Sequence, residues 1–140
     1  MDMTFEFTRF PVYATATAGL VLLLQMGLMI NVVRLRGASS TLFGSGDGDL
    51  LQAIRVHGNL AENSGIFVAT FALLEMAGGA AWAVASLCAL FVIARIAHAI
   101  GLTRSTGVNP LRLVGALGTL FSGVIGGAWA TWLAGAALLA

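Results

Sequence analysis

The sequence predicts an all-α integral membrane protein, a four-transmembrane-helix bundle. Two observations lead there. Only 9% of the residues are charged and the mean hydropathy is +0.94, whereas a soluble domain carries about 25% charged residues. The apolar residues also gather into four long segments, residues 10–33, 50–77, 80–101 and 111–139. Each has about the 20 residues an α-helix needs to cross roughly 30 Å of hydrocarbon. The four take up nearly the whole chain, so one membrane domain spanning 1–140 is expected, with no room for a soluble one.

The first segment reads as a span rather than a cleavable signal peptide. Its apolar run is too long, and acidic Asp2 and Glu6 precede it where such peptides carry positive charge. The second opens on an unusually polar stretch, LQAIRVHGNLAENSGIF at residues 51–67, before becoming apolar. The third holds the single cysteine, Cys88, near its middle, where it reads as a small buried apolar residue. It ends in ARIAHAIGLTR. The fourth starts at NPLR, with Pro110 suited to a first helical turn. It contains GALGTLFSGVIGGAW, in which Gly123 and Gly127 form a small-xxx-small pair that would let another helix approach closely. So small a bundle, with polar groups to cover, points to oligomerisation.

Orientation follows from the arginines, since there is no lysine. Arg34, Arg36 and Arg55 lie in or beside the first loop, and Arg104 and Arg112 flank the third; only Arg9 lies on the other side. The positive-inside rule places both of these loops in the cytoplasm and both termini outside. Trp82, Trp129, Trp132, Phe5, Phe7, Phe10 and Tyr13 gather at the opposite interface, where amphipathic rings prefer to sit. The lack of lysine and the abundance of Ala and Gly point to a GC-rich bacterial source, hence an inner membrane.

The polar residues of the second span form a stripe. At about 100° per residue, Arg55, Asn59 and Glu62 fall within an arc of roughly 60°, with Asn63 at its edge and His57 nearly opposite. In the third span, Arg95 and His98 are i, i+3 neighbours. Arg95 lies about two turns inside the hydrocarbon, which costs at least ~2.5 kcal/mol unless it is paired or wet. Glu62 is its expected partner. Arg112, at the start of the fourth span, completes a polar cluster at the cytoplasmic end. A purely structural role, holding the bundle together, is the bland alternative.

Several guanidinium groups with one carboxylate and amide donors suit a small zwitterion with surplus negative charge, since arginine forks carboxylates. With two histidines and no HExxH motif, no metal is expected. No phosphate-binding glycine loop or Ser-His-Asp arrangement is present. GSGDGD in the first loop lacks the length and final glutamate of a calcium loop. No nucleic-acid partner is expected.

Four spans with RVHGNLAE entering the second resemble the MAPEG family, the membrane-associated proteins of eicosanoid and glutathione metabolism. The family's Arg-x-x-x-Asn-x-x-Glu spacing matches Arg55, Asn59 and Glu62. RIAHAIG is similar to its Arg-x-x-(His/Tyr) segment, and NPLR resembles the segment carrying its catalytic arginine. The resemblance departs at the tyrosines that line the family's pockets. Leu102 stands where one is expected, and the only tyrosine, Tyr13, is at the far end.

The resemblance implies a homotrimer with glutathione as co-substrate, bound between neighbouring subunits. Arg55, Asn59 and Glu62 would hold its carboxylate and amino ends, with Arg95 and His98 lining the same pocket and Arg34 approaching from the adjacent subunit. The Pro-x-Arg context assigns the thiol-facing, catalytic role to Arg112 rather than Arg104. The expected activity is a glutathione-dependent transferase or peroxidase acting on small lipophilic electrophiles that arrive from the membrane lipid. A non-catalytic binder of glutathione or another anionic ligand, and a structural or transport-related membrane protein, are the alternatives.

Overall fold

The computed structural model describes residues 10–139; the readings of Asp2, Phe5, Glu6, Phe7 and Arg9 lie outside the described residues. Four helices follow one another: α1 (Val12–Ser39), α2 (Gly48–Met76), α3 (Ala81–Arg104) and α4 (Pro110–Leu138). Short connections make them run up and down. The α1–α2 and α3–α4 loops therefore share one end, called here the arginine-rich end, and the α2–α3 loop lies at the other. α3 packs most extensively on α4, and α1 on α2.

α1, α3 and α4 are each long and apolar enough to cross a membrane. α2 matches them in length at 29 residues but carries the polar stripe. At the arginine-rich end, two helices outrun their apolar spans. α1 continues through Arg34 and Arg36 to Ser39, and α3 through Leu102 to Arg104. The span marks where hydrocarbon ends, whereas the helix persists until its backbone bonds are broken. α1 stops only at Ser40, whose left-handed φ of 53° ends the hydrogen-bond ladder. Arg36 then pins the loop, donating to the carbonyls of Thr41, Leu42 and Gly44 at 3.2, 3.3 and 3.0 Å.

Phe67, Phe71 and Phe91 form the central apolar contact. Phe67 and Phe91 stack at a 4.4 Å centroid distance, and Phe71 meets both edge-on. Leu60, Leu74, Val84 and Cys88 are buried in the same core. The outer faces of α1 and α4 remain apolar and exposed, with Leu22, Leu23, Ile30, Leu120, Phe121 and Val124 among them. That is the pattern of helices solvated by lipid. Trp82 and Trp132 are exposed at the end opposite the arginines.

The close approach of helices comes from glycines other than the Gly123–Gly127 pair. A Cβ on Gly115 would lie 2.6 Å from His98 Cβ, and one on Gly118 2.8 Å from Ala94 Cβ, so this pair lets α4 settle on α3. Gly123 instead seats the Phe67 ring, and Gly127 faces open space within the chain. Gly123 and Gly127 both border one groove between α2 and α4, and Gly127 has room there for a further side chain. We expect Gly115→Ala to destabilise the protein by about 1–3 kcal/mol through overpacking. Gly127→Ala should leave the unfolding midpoint unchanged or higher, since alanine is the better helix former. Thermal unfolding in detergent compares the two.

At the other end of the bundle, Glu75 settles the start of α1. Pro11 at the N-cap makes no side-chain cap, and the first turn of any helix leaves N–H groups without partners. The Glu75 carboxylate accepts from the N–H of Tyr13 at 3.1 Å and of Ala14 at 3.0 Å. Its negative charge also suits the positive end of the helix dipole. Glu75→Ala should cost about 1–2 kcal/mol, the upper range of a lost N-cap, read as a lower midpoint in the same unfolding assay.

Candidate functional site

Helix starts and ends at the arginine-rich end are held by side chains from their neighbours. Asn109, extended and just before Pro110, caps α4 by accepting from the Arg112 N–H at 3.0 Å. Its amide also donates to the Gly101 carbonyl at 2.8 Å, tying α4 to the last turn of α3. Gln52 of α2 donates to the carbonyls of Leu102 and Thr103 at 2.7 and 3.0 Å. The polar ends of α2, α3 and α4 are thereby fastened around a common space.

That space is a cavity of about 710 Å3 lined by the predicted Arg55, Asn59, Glu62, His98 and Arg112, together with Gln52 and others. Small-molecule sites run to roughly 300–1,000 Å3. Arg55 and Glu62 are exposed to it, Asn59 and Arg112 half-buried, and His98 buried. The Arg112 guanidinium donates through Nη1 to the carbonyls of Thr106 and Gly107 at 2.9 and 3.2 Å. Those two bonds hold it against the α3–α4 loop while leaving its other donors available.

Arg95 stands behind the cavity wall rather than in it. It is only 3% exposed and bonds to the backbone oxygen of Asn59 at 3.1 Å, to the Asn59 side-chain oxygen, and to Thr119 Oγ1 at 3.3 Å. The expected Arg95–Glu62 pair is therefore corrected. Asn59 and Glu62 share one face of α2, but Asn59 is the member turned toward α3. Glu62 stays on the open side of the same face.

Arg34 is also apart from the cavity within its own chain. It lines a separate cleft of about 250 Å3 between α1 and α2, with Asn31, Asp49 and Gln52, and donates to Asn31 Oδ1 at 3.1 Å. α1 lies against the opposite side of α2, as the bond of Gln25 to the His57 carbonyl shows. Arg104 lines a third, apolar groove with Leu24, Ile96 and Ile100. Of Arg112 and Arg104, only Arg112 borders the cavity.

Three contributors escaped sequence reasoning. Asn109 carried a legible signal, an Asn immediately before a proline at a helix start. Gln52 did too, three residues before Arg55 on the same helical face. Thr119, in the middle of an apolar helix, carried none, because its role depends on which face of α4 meets Arg95.

Fold and cavity define a helical membrane protein with a polar cavity set into one end of its bundle. The family model for the MAPEG family matches residues 14–138, and the chain belongs to that family, whose members include glutathione-related transferases. No curated protein matches the chain. Because Asn109 caps α4 and ties it to α3, Asn109→Ala should lower stability by about 1 kcal/mol. Thermal unfolding measures this against wild type.

Proposed function

We propose that the protein is a glutathione-dependent membrane transferase or peroxidase that activates the glutathione thiol toward lipophilic electrophiles. One observation carries the reading: a single cavity gathers Arg55, Asn59, Glu62, His98 and Arg112 from three helices. Its donor set fits glutathione, a zwitterion with surplus negative charge. Among the described residues the Arg55 guanidinium donates no hydrogen bond, so its fork is available to a carboxylate. Glu62 is exposed and can accept from an ammonium group.

Glutathione, when bound, supplies the nucleophilic sulfur. Arg112 favours the thiolate by placing a positive charge and its remaining N–H donors beside the sulfur. Each unit of pKa lowering requires about 1.4 kcal/mol of differential interaction, and one close, partly desolvated guanidinium supplies one or two units. Asn109 and the loop carbonyls of Thr106 and Gly107 keep Arg112 in place. An open groove of about 410 Å3 between α2 and α4, with Phe67, Leu120 and Val124 along it, supports access of the electrophile from lipid.

The working form in this reading is a homotrimer in which Arg34 of one copy completes the site of the next. That role agrees with its position outside its own chain's cavity. The arginine-rich end faces the cytoplasm, by the positive-inside rule, in a bacterial inner membrane. A non-catalytic glutathione binder is the second reading, favoured by the engagement of Arg112 with loop carbonyls.

Glutathione that binds only the folded protein raises its stability, by about 2.7 kcal/mol at a hundred times Kd. We expect a rising midpoint for wild type in a glutathione titration and none for Glu62→Gln. No rise at millimolar glutathione, with folded protein, would overturn the reading. Arg112→Ala should keep binding but lose on the order of ten- to hundredfold in turnover of a chlorodinitrobenzene electrophile, following the lost thiolate fraction. Unchanged turnover would favour the non-catalytic reading.

A further inference from the structure

Arg104 ends α3 without capping it. An arginine in a last helical turn commonly bonds the terminal carbonyls, but on α3 other residues have taken them. Gln52 donates to the Leu102 and Thr103 carbonyls. Asn109 donates to that of Gly101, which also accepts from the Ser105 N–H. Arg104 is exposed, and among the described residues its guanidinium donates no hydrogen bond. Arg34, Arg36 and Arg112 each donate to an oxygen of the protein, and Arg55 faces the cavity. Among the described residues, Arg104 is thus the arginine outside the cavity that no protein group holds.

The side chain stands at the end of an apolar groove. Leu24 and Leu28 of α1 form one wall and Ile96 and Ile100 of α3 the other, around a space of about 340 Å3. Each pair is spaced i, i+4, so each wall runs along its helix. The buried Ala99, also on the groove, is too small to fill the space. From Ile96 to Arg104 the helix rises about 12 Å, most of one leaflet's roughly 15 Å of hydrocarbon. Thr103 gives its hydroxyl proton to the Ala99 carbonyl at 2.8 Å, which leaves Arg104 as the side-chain donor of the groove. The adjoining cleft shares Leu28 and Thr103 and holds Arg34 and Asp49. Those two charges are opposite in sign, so the net positive charge of this face belongs to Arg104.

We propose that the groove binds one phospholipid with a net negative headgroup, its phosphodiester on Arg104 and one acyl chain between α1 and α3. The two halves of the site match the two halves of the ligand. A guanidinium forks phosphate oxygens, and a channel of leucine and isoleucine takes a hydrocarbon tail at the depth where tails lie. Phosphatidylglycerol is preferred to phosphatidylcholine, because its headgroup carries no ammonium to cancel the attraction to arginine. The bound lipid fills the contact of α1 with α3, which is less extensive than that of α1 with α2. The site shares no lining residue with the larger polar cavity and stands independently of the functional reading above.

Native mass spectrometry of the full chain, released from detergent micelles doped with one lipid at a time, counts the lipids retained per chain. The probes are phosphatidylglycerol and phosphatidylcholine with the same acyl chains. Wild type is expected to retain one phosphatidylglycerol per chain and to hold phosphatidylcholine about fivefold less tightly. Arg104→Gln, a change at an exposed position, should weaken phosphatidylglycerol by on the order of tenfold, following the lost charge-assisted bond. Ile100→Ala keeps the guanidinium but trims the groove wall, and should weaken the same lipid several-fold.

Equal retention of the two lipids by wild type overturns the headgroup contact, and equal retention by Arg104→Gln and wild type overturns the role of Arg104. Unchanged retention by Ile100→Ala takes the acyl chain out of the groove. Thermal unfolding adds the last arm: phosphatidylglycerol should raise the wild-type midpoint, and inorganic phosphate should not. A rise of the same size with phosphate, lost in Arg104→Gln, would leave an anion site with no lipid in it and overturn the proposal.

Discussion

The burial of Arg95 is the constraint around which the arginine-rich half of the bundle is organised. A guanidinium on α3, nearly sealed from solvent, must find acceptors or destabilise the fold. It finds them on two other helices, at Asn59 of α2 and Thr119 of α4. One side chain thus sets the rotation of three helices relative to one another. The approach of α4 depends on Gly115 and Gly118, since side chains there would collide with His98 and Ala94. With α4 so seated, Thr119 comes within reach of Arg95 and Arg112 reaches the cavity.

Helix ends are treated with the same economy of partners. In a bundle bathed in lipid, an unsatisfied backbone group has no water to turn to away from the interfaces. Glu75 from α2 therefore serves the start of α1, and Gln52 from α2 serves the end of α3. Asn109 serves both the start of α4 and the end of α3. Each of these joins two helices as well as capping one. At the arginine-rich end, two of the three also bring cavity-forming elements together, so the satisfaction of backbone groups and the building of the site are one event.

The outline of this structure was legible because hydrophobic length and helical period are local properties. Four apolar runs became four helices, and the 3.6-residue repeat put Arg55, Asn59 and Glu62 on one face. What escaped was set by relations between helices. Asn59 and Glu62 lie on the same stripe, and only the rotation of α2 against α3 decides which one meets Arg95. Charge made Glu62 the natural choice, but geometry selected the neutral amide. Glycines told a similar story: Gly123 and Gly127 have the spacing of a contact pair, yet the tight α3–α4 approach falls at Gly115 and Gly118. Thr119 was unreadable, since a threonine in an apolar span normally satisfies itself on its own helix, as this one also does with Gly115.

A carboxylate against Arg95 would have balanced its charge, and Glu62 is only one turn from that position. The rotation of α2 instead gives the cation the neutral oxygens of Asn59, with Thr119 of α4 as the third acceptor. The exposed Arg55 and Glu62 likewise remain uncommitted to each other, although both lie on one helix and border one cavity. Paired, they would neutralise each other across the cavity; apart, they leave a positive and a negative group facing the same space. In this bundle the buried guanidinium is held by neutral acceptors from neighbouring helices, while the charged groups of α2 are left facing the cavity.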